Sequence, residues 1–245
     1  KQGVLLTGTE RMKKRPIQIL VDALNKIGAD ISYTEKDGYP PIKINRKISQ
    51  IKESISIRGD ISSQYISSLL MIAPVLPNGL KIDVMPPFYS KPYVMMTLNL
   101  MKKFGIKYDL SEDSISINNQ EYKSGSYKVE SDWSAASYWY SFISINKKLK
   151  EIKLKGLREH SFQGDQVIKK IMTLFNVETL YDKDGIILRK KDFDCDYLEL
   201  DFKDCPDLAQ TVLVVAAFHK VKLKLYGVES LKIKETDRLK AMSNE

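Results

Sequence analysis

The stretch SSQYISSLLMIAPVLPNGLKIDV, residues 62–84, sets the plan on which the rest of the chain is built. Two serines and a glutamine open an apolar segment with helical spacing, Asn78-Gly79 predicts a turn, and Leu80–Val84 reads as a strand. The same order of features recurs from Asp132 and from Asp207. The three starts lie at positions 62, 132 and 207, so they are 70 and 75 residues apart. This spacing predicts an internal repeat.

Each strand of this plan leads through a short loop into a second helix. The predicted starts of these helices are Ser90-Lys91-Pro92-Tyr93, Phe162-Gln163-Gly164-Asp165 and Lys234-Glu235-Thr236-Asp237, with an earlier one at Lys14-Arg15-Pro16. Complete copies close with a Gly or Asn that suits a left-handed C-cap, and then with a pair of strands. The repeat is therefore a β-α-β-α-β-β unit of about 70 residues. We predict an α/β (α+β) fold.

The register of the repeat also predicts how much of the fold is present. Val4–Thr7 matches the strand before a second helix, so half a unit comes first. Two full units follow, and the fourth stops within its second helix at Glu245. We therefore expect a fold that is incomplete at both ends, as in a piece of a longer chain.

The composition indicates a soluble globular chain. Of its 245 residues 43% are hydrophobic and 29% are charged, and no apolar run approaches the ~20 residues that a membrane helix needs. The net charge of +8 is spread as lysines without a dense basic arm, which favours anionic small molecules over nucleic acid. Cys195, Cys205, His160 and His219 fit no metal pattern, and we expect both cysteines to be thiols in a reducing cytoplasm.

The positions where helices begin carry polar residues that suit anion binding. Ser62, Ser63 and Gln64 lie at one such start, where backbone amides and hydroxyls bind phosphate and carboxylate. Simple N-capping is the alternative, and it accounts for one serine but not for two followed by a glutamine. Ser90 and Tyr93 offer a hydroxyl and a phenol at the next helix start.

Charged residues lie at the other helix starts. Arg11 comes before one of them, and its guanidinium suits a forked contact with an acid. Asp132 with Ser134 opens the second copy, and Asp207 opens the third. The sequence leaves open whether Asp207 is a helix cap or a general base. It also leaves open whether Lys234–Arg238 is a solvated first turn or a site for an acidic substrate.

Eight strings along the chain carry a resemblance to a known family: LTGTERMKKRPIQILVDAL, YPPIKI, GDISSQYISSLLM, YSKPYVMMTLNLMKKFGI, VESDWSAASYW, SFQGD, CPDLAQT and IKETDRL. They resemble the 5-enolpyruvylshikimate-3-phosphate synthase family of the shikimate pathway, in the family's order and over essentially all of the chain. The resemblance implies the enolpyruvyl transferase fold, an inside-out α/β barrel with two lobes of three repeat units each. It implies that residues 1–129 belong to the first lobe and residues 130–245 to the second.

The resemblance also implies a reaction. The family transfers the carboxyvinyl group of phosphoenolpyruvate to the 5-hydroxyl of shikimate 3-phosphate and releases phosphate. The hydroxyl adds to C2 of the enol while C3 gains a proton, and the intermediate then loses a C3 proton and phosphate. The resemblance implies no metal and no organic cofactor, and it makes these two acids the partners of a monomeric full-length protein.

Roles for single residues follow from the resemblance, position by position. It implies that Asp207 is the base for the 5-hydroxyl, that Lys234 is a cation beside it, and that Glu235 handles the methylene proton. It makes Arg11 and Arg238 the cations for phosphoenolpyruvate. The implied contacts to shikimate 3-phosphate are Ser62, Ser63, Gln64 (also near the enol substrate), Ser90, Tyr93 and Ser230, the last standing where many members have Asn.

The chain departs from the family pattern in several places. Trp133 stands where a small residue is common, and Lys232 stands where Arg is common. The family's Lys-Ser and Gly-rich motifs, its Asp-His-Arg motif and a C-terminal Lys lie outside residues 1–245, so we expect this chain alone to lack appreciable activity. One alternative is a relative of UDP-N-acetylglucosamine enolpyruvyl transferase, whose mobile-loop cysteine neither Cys195 nor Cys205 matches in context. Others are a non-catalytic anion-binding scaffold and one lobe of a pentafunctional fusion.

Overall fold

The fold is described by a computed structural model that covers residues 3–46, 48–60, 62–192, 194–233 and 236–245. The chain forms two compact units, residues 1–125 and residues 126–245. This boundary lies four residues before the one that the resemblance implies, between 129 and 130. Residues 126–129 join the second unit, where Arg158 Nη2 donates to the carbonyl oxygen of Lys128 at 2.7 Å.

The first unit contains two sheets and three α-helices in its described residues. Its elements are β1 (Val4–Leu6), α1 (Gln18–Ile27), β2 (Asp30–Tyr33), β3 (Ile42–Arg46), β4 (Ser54–Arg58), α2 (Ser63–Ile72), β5 (Leu80–Met85), α3 (Lys91–Lys103), β6 (Asp109–Leu110) and β7 (Ser114–Ile117), with 3₁₀ turns at Met12–Lys14 and Ala73–Val75. One sheet has the order β1-β3-β2 and is antiparallel. The other has the order β4-β5-β7-β6, and only its β4–β5 pair is parallel.

The second unit repeats these arrangements. Its elements are α4 (Trp133–Ile145), β8 (Glu151–Lys155), α5 (Ile168–Thr173), β9 (Val177–Asp182), β10 (Gly185–Lys190), β11 (Tyr197–Asp201), α6 (Ala209–His219), β12 (Lys222–Tyr226) and α7 (Arg238–Asn244), with 3₁₀ turns at Gly164–Val167, Pro206–Leu208 and Glu229–Ile233. The order β8-β10-β9 is antiparallel, and β11 pairs with β12 in parallel.

The predicted repeat is confirmed by the strand orders. In β1-β3-β2, β5-β7-β6 and β8-β10-β9 alike, the last strand of a unit lies between the strand that precedes its second helix and the strand that follows this helix. The parallel pairs β4–β5 and β11–β12 each enclose the first helix of a unit. The α/β (α+β) fold class therefore follows from the same repeated pattern that the sequence shows.

One expectation needs correction. The second copy was expected to be a full unit, yet no described residue between 118 and 150 belongs to a strand that would precede α4. Only Ser131 N donates to the carbonyl oxygen of Gly156, at 3.0 Å, where that strand would pair. The side chain of Glu130 instead holds this segment to loop atoms of Arg158 and Ser161. The expected mixture of helices and sheets is confirmed, and each sheet formed by the described residues is open.

The last helix also begins later than predicted. The sequence suggests a start at Lys234, whereas α7 begins at Arg238. Asp237 is its N-cap and accepts a hydrogen bond from the amide of Lys240 at 3.1 Å. This hydrogen bond gives a partner to an amide that would otherwise have none in the first turn, so the helix begins directly after Asp237.

Each unit has its own hydrophobic core. In the first unit Leu69, Leu70 and Ile82 are fully buried between helices and sheet, and in the second unit Trp133 and Tyr140 are. On α4 the aromatic residues Tyr138, Trp139 and Phe142 are at least half exposed. No helix in the described residues is long and apolar enough to cross a membrane.

Candidate active site

Two helix starts of the first unit lie at one edge of its sheet. The parallel strands β4 and β5 end side by side, and α2 and α3 follow them. The loops between strand and helix are joined through Gly59. Its amide donates to the Met85 carbonyl oxygen at 3.0 Å, and its carbonyl oxygen accepts from the amide of Tyr89 at 3.1 Å. Ligands of open α/β sheets bind at this carboxyl edge of the strands.

An ion pair closes the first of these loops. Arg58 donates from Nε and Nη2 to the two oxygens of Asp60, at 3.0 and 2.7 Å. This hydrogen bonding lowers the pKa of the Asp60 carboxyl. Asp60 is therefore charged at neutral pH and holds the loop that leads to Ser62.

The serines at the start of α2 do not serve as side-chain caps. Ser62 is the N-cap residue, with extended backbone angles (φ −153°, ψ 113°), but its hydroxyl makes no capping hydrogen bond. Ser62 and Ser63 are half-buried and Gln64 is exposed. The structure therefore gives the Ser62 hydroxyl no capping role at the start of α2.

Ser90 begins α3 with an unusual backbone. Its φ of 56° and ψ of 27° lie in the left-handed region, and the residue is 9% exposed. A residue with a Cβ rarely adopts these angles, and such positions cluster at ligand sites. Tyr93 follows within the first turn, where its amide donates to the carbonyl oxygen of Ser90 at 3.1 Å. Ser90 and Tyr93 thus lie at the same sheet edge as Ser62–Gln64.

Arg11 lies in the loop that enters α1. It precedes the 3₁₀ turn Met12–Lys14 and is exposed. This loop is hydrogen-bonded to α2, since the hydroxyl of Tyr65 donates to the carbonyl oxygen of Pro16. Lys13, in contrast, pairs with Glu10 and Glu35 at 3.2 and 3.3 Å, and the hydrogen bond to Glu10 is the largest cause of its raised pKa.

In the second unit, Asp207 and Arg238 meet. Asp207 lies in the 3₁₀ turn before α6, and Arg238 is the first residue of α7. Arg238 Nη1 donates to Asp207 Oδ1 at 2.9 Å, and the side chains are 18% and 38% exposed, respectively. A carboxylate and a guanidinium are thereby held together at a partly open position.

The remaining predicted residues divide into two groups. Ser230 lies in the 3₁₀ turn Glu229–Ile233 and is largely buried, and this turn contacts the turn that carries Asp207. Lys234 and Glu235 lie outside the described residues. The structure thus brings together Ser62–Gln64 with Ser90 and Tyr93 in one unit, and Asp207 with Arg238 in the other.

Sequence reasoning overlooked a buried carboxylate in the second unit. Asp165 is 1% exposed and accepts a hydrogen bond from the hydroxyl of Ser134. Asp132 caps α4 through the amide of Ser134, at 2.8 Å. The sequence signal was the short string before α5, which resembled other helix starts but offered no sign that Asp165 would be buried.

The Cys205 thiol does not suit nucleophilic chemistry. Cys205 is buried, and burial raises the pKa of its thiol to about 12. A thiol with that pKa is neutral near pH 7 and is a poor nucleophile. No group of three or more His, Cys, Asp or Glu side chains that would suit a metal occurs in the described part of the chain.

Solved structures with similar architecture define the fold class. The enolpyruvyl transferase NikO from Streptomyces tendae matches with a TM-score of 0.63 at 10% identity, over 92% of this chain and 54% of that protein. EPSP synthase from Acinetobacter baumannii matches with a TM-score of 0.51 at 15% identity, over 100% of this chain and 73% of that protein. The repeated units and these likenesses define the fold of an enolpyruvyl transferase.

Sequence comparison defines the family within this class. The sequence model of the family EPSP synthase (3-phosphoshikimate 1-carboxyvinyltransferase) matches residues 1–245. The 3-phosphoshikimate 1-carboxyvinyltransferase of Bacteroides fragilis is 45% identical over 98% of this chain, and that of Buchnera aphidicola is 41% identical over 99%. The chain belongs to the EPSP synthase family. It spans 58% and 56% of the length of these two relatives.

Proposed function

We propose that this chain takes part in the transfer of the carboxyvinyl group from phosphoenolpyruvate to the 5-hydroxyl of shikimate 3-phosphate, with release of phosphate. The observation that carries the proposal is the Asp207–Arg238 pair in a chain of this family. It provides a carboxylate that can accept a proton and, beside it, a guanidinium that can bind an acidic substrate.

The first unit provides groups that suit a phosphorylated substrate. Ser62, Ser63, Gln64, Ser90 and Tyr93 lie at one sheet edge, where the amides at the starts of α2 and α3 add donors. We assign these side chains to shikimate 3-phosphate, with Gln64 also near the enol. Ser230 is likewise assigned to shikimate 3-phosphate.

The chemical roles follow the electron flow. Asp207 accepts the proton of the 5-hydroxyl as its oxygen forms the bond to C2 of phosphoenolpyruvate and C3 takes up a proton. In the second stage a proton leaves C3 and the C2–O bond to phosphate breaks, which restores the double bond. Arg11 and Arg238 balance the charge of phosphoenolpyruvate, Lys234 lies beside the hydroxyl, and Glu235 carries the methylene proton.

The setting follows from the same chemistry. Both substrates are small anions, for which an excess of positive charge spread over the chain provides long-range attraction. We propose a monomeric full-length protein that works in the cytoplasm with these two acids, without metal or organic cofactor, and without nucleic acid or membrane as a partner.

The test is a phosphate-release assay on the natural full-length gene product, with residues 1–245 in parallel. We expect turnover that requires both acids, and Asp207→Asn should lower kcat by about 10²- to 10⁴-fold because it removes the proton acceptor. Residues 1–245 alone should show no appreciable release.

The control for this variant is Arg189→Gln. Arg189 forms an exposed ion pair with Glu151 at 3.0 Å on β8 and β10, so its loss removes a similar bond away from Asp207. This control should leave kcat unchanged. Turnover with UDP-N-acetylglucosamine in place of shikimate 3-phosphate, or binding of both acids without turnover, would contradict the proposal.

A further inference from the structure

A buried carboxylate is anchored to the first turn of α4. Asp165 is 1% exposed, and it accepts a hydrogen bond from the Ser134 hydroxyl. A polar group this deep is costly unless hydrogen bonds satisfy it, and the bond to Asp165 helps to fix the position of Ser134. Asp132 and Gln163 constrain the same turn, since they accept from the amides of Ser134 and Trp133, both at 2.8 Å.

The same turn of α4 is bonded to α6. Ser137 lies three residues after Ser134, and its hydroxyl donates to the carbonyl oxygen of Ser134 at 2.6 Å. It also shares a hydrogen bond with the hydroxyl of Thr211, at 3.2 Å, and both side chains are buried. Thr211 lies four residues after Asp207, which places the two on the same face of a continuous helical stretch. Hydrogen bonds therefore connect Asp165, through Ser134 and Ser137, to Thr211 in the first turn of α6, four residues after Asp207.

A second observation connects Asp165 with the turn that carries Asp207. Cys205 lies two residues before Asp207 and is buried with Pro206. Burial, and next to it the charge of Asp165, raise the pKa of the Cys205 thiol. The charge of Asp165 therefore acts on the Cys205 thiol, two residues before Asp207.

We propose that Asp165, acting through Ser134, is a positioning residue that fixes the turn at Pro206–Leu208 and thereby the Asp207–Arg238 pair. Asp165 and Ser134 need not touch a substrate. The kinetic consequence rests on the proposed function, because it assumes that Asp207 is the base. The structural consequence, the place of Asp207 relative to Arg238, does not.

The kinetic test uses Ser134→Ala, Ser134→Thr and Asp165→Asn in the full-length gene product. A small displacement of a catalytic base slows the chemical step more than it weakens substrate binding. Ser134→Ala should therefore lower kcat by about 10- to 100-fold. KM for both acids should stay within about twofold, since uniform binding is retained. Ser134→Thr keeps the hydroxyl and should recover most of kcat. The double variant Ser134→Ala/Asp165→Asn should be no worse than the more impaired single variant, because both remove one link.

Ser144→Ala is the matched control. Ser144 is buried on α4, and its hydroxyl bonds His219 Nε2 of α6 at 2.9 Å, ten residues beyond Ser134. It should lower thermal stability about as much as Ser134→Ala and leave kcat unchanged. Equal losses of kcat in the two variants, or a rise of KM with kcat intact, would overturn the positioning role.

A second readout does not depend on activity. The side-chain NMR signals of Arg238 and the carboxyl carbon of Asp207 report their pairing directly. They should move in Ser134→Ala and stay in place in Ser144→Ala. If the wild-type protein shows no turnover, the proposed function fails, while these signals still decide the positioning role. Unmoved signals in Ser134→Ala would refute it.

Discussion

Arg238 Nη1 lies 2.9 Å from Asp207 Oδ1, although 31 residues separate the two in the chain. The two side chains come from different helical elements, the turn before α6 and the first turn of α7. Because both are partly exposed, the bond between them is modest, of the order of 1 kcal/mol. An incoming carboxylate or phosphate can therefore compete for the guanidinium and leave Asp207 as a proton acceptor.

Replacing Arg238 should weaken binding of the acidic substrate. A charge-assisted hydrogen bond contributes about 1.5–3 kcal/mol, so Arg238→Gln should raise KM for phosphoenolpyruvate by about 10- to 100-fold. Arg238→Lys keeps the positive charge but not the forked donor geometry. Its KM for phosphoenolpyruvate should lie between those of the wild type and Arg238→Gln. Steady-state kinetics at fixed shikimate 3-phosphate measures both. An unchanged KM in Arg238→Gln would remove this residue from the substrate site.

Ser90→Gly should separate stability from binding. Glycine adopts left-handed angles without a steric cost, so the substitution should raise the free energy of unfolding by up to about 1 kcal/mol. It also removes the hydroxyl assigned to shikimate 3-phosphate, and KM for that acid should rise about tenfold. Urea denaturation and steady-state kinetics measure the two effects. Lys220→Gly, at the left-handed end of α6 (φ 60°), should give the stability gain alone.

Gly59→Ala should disturb the edge where α2 and α3 begin. A Cβ at this position would lie 2.8 Å from Val84 Cγ1 and 3.0 Å from both the Cα of Phe88 and the carbonyl oxygen of Pro87. Two of these neighbours are backbone atoms, so the loops must move, and we expect a loss of about 1–3 kcal/mol in the free energy of unfolding. At Gly125 an added Cβ meets only Phe104 Cε1, at 3.9 Å. Gly125→Ala should therefore be close to neutral in the same urea titration.

His219 should make stability depend on pH. Burial, followed by the charge of Lys190, lowers the pKa of His219 below its ordinary value of 6.5. The unfolded chain then binds a proton at a higher pH than the folded chain does, so folding is favoured above pH 6.5 and this contribution is lost as pH falls through the folded pKa. The free energy of unfolding should fall from pH 7 to pH 5, and it should fall less in His219→Gln. Parallel pH dependences in the two proteins would contradict this.

Much of the fold and part of the site could be predicted from local patterns. Helical spacing, turn pairs and cap residues recur at fixed distances, and each reports on a few neighbouring residues. They therefore sufficed for the repeat, the order of its elements and the helix starts at Ser62 and Ser90. The start of α7 was misplaced, because Lys234–Arg238 contains several residues that suit a first turn and only the bond from Lys240 N to Asp237 selects one.

By itself the sequence determined the family, the repeated β-α-β-α-β-β plan and the identity of most candidate residues, since motifs and periodicity are properties of consecutive residues. Only the tertiary structure decided that Arg238 pairs with Asp207 and that the backbone of Ser90 is left-handed. It alone also decided that Asp165 is buried and hydrogen-bonded to Ser134. It also decided that the strand before α4 is reduced to a single backbone bond. These features depend on groups far apart in the chain, and packing brings such groups together through contacts that no local pattern encodes.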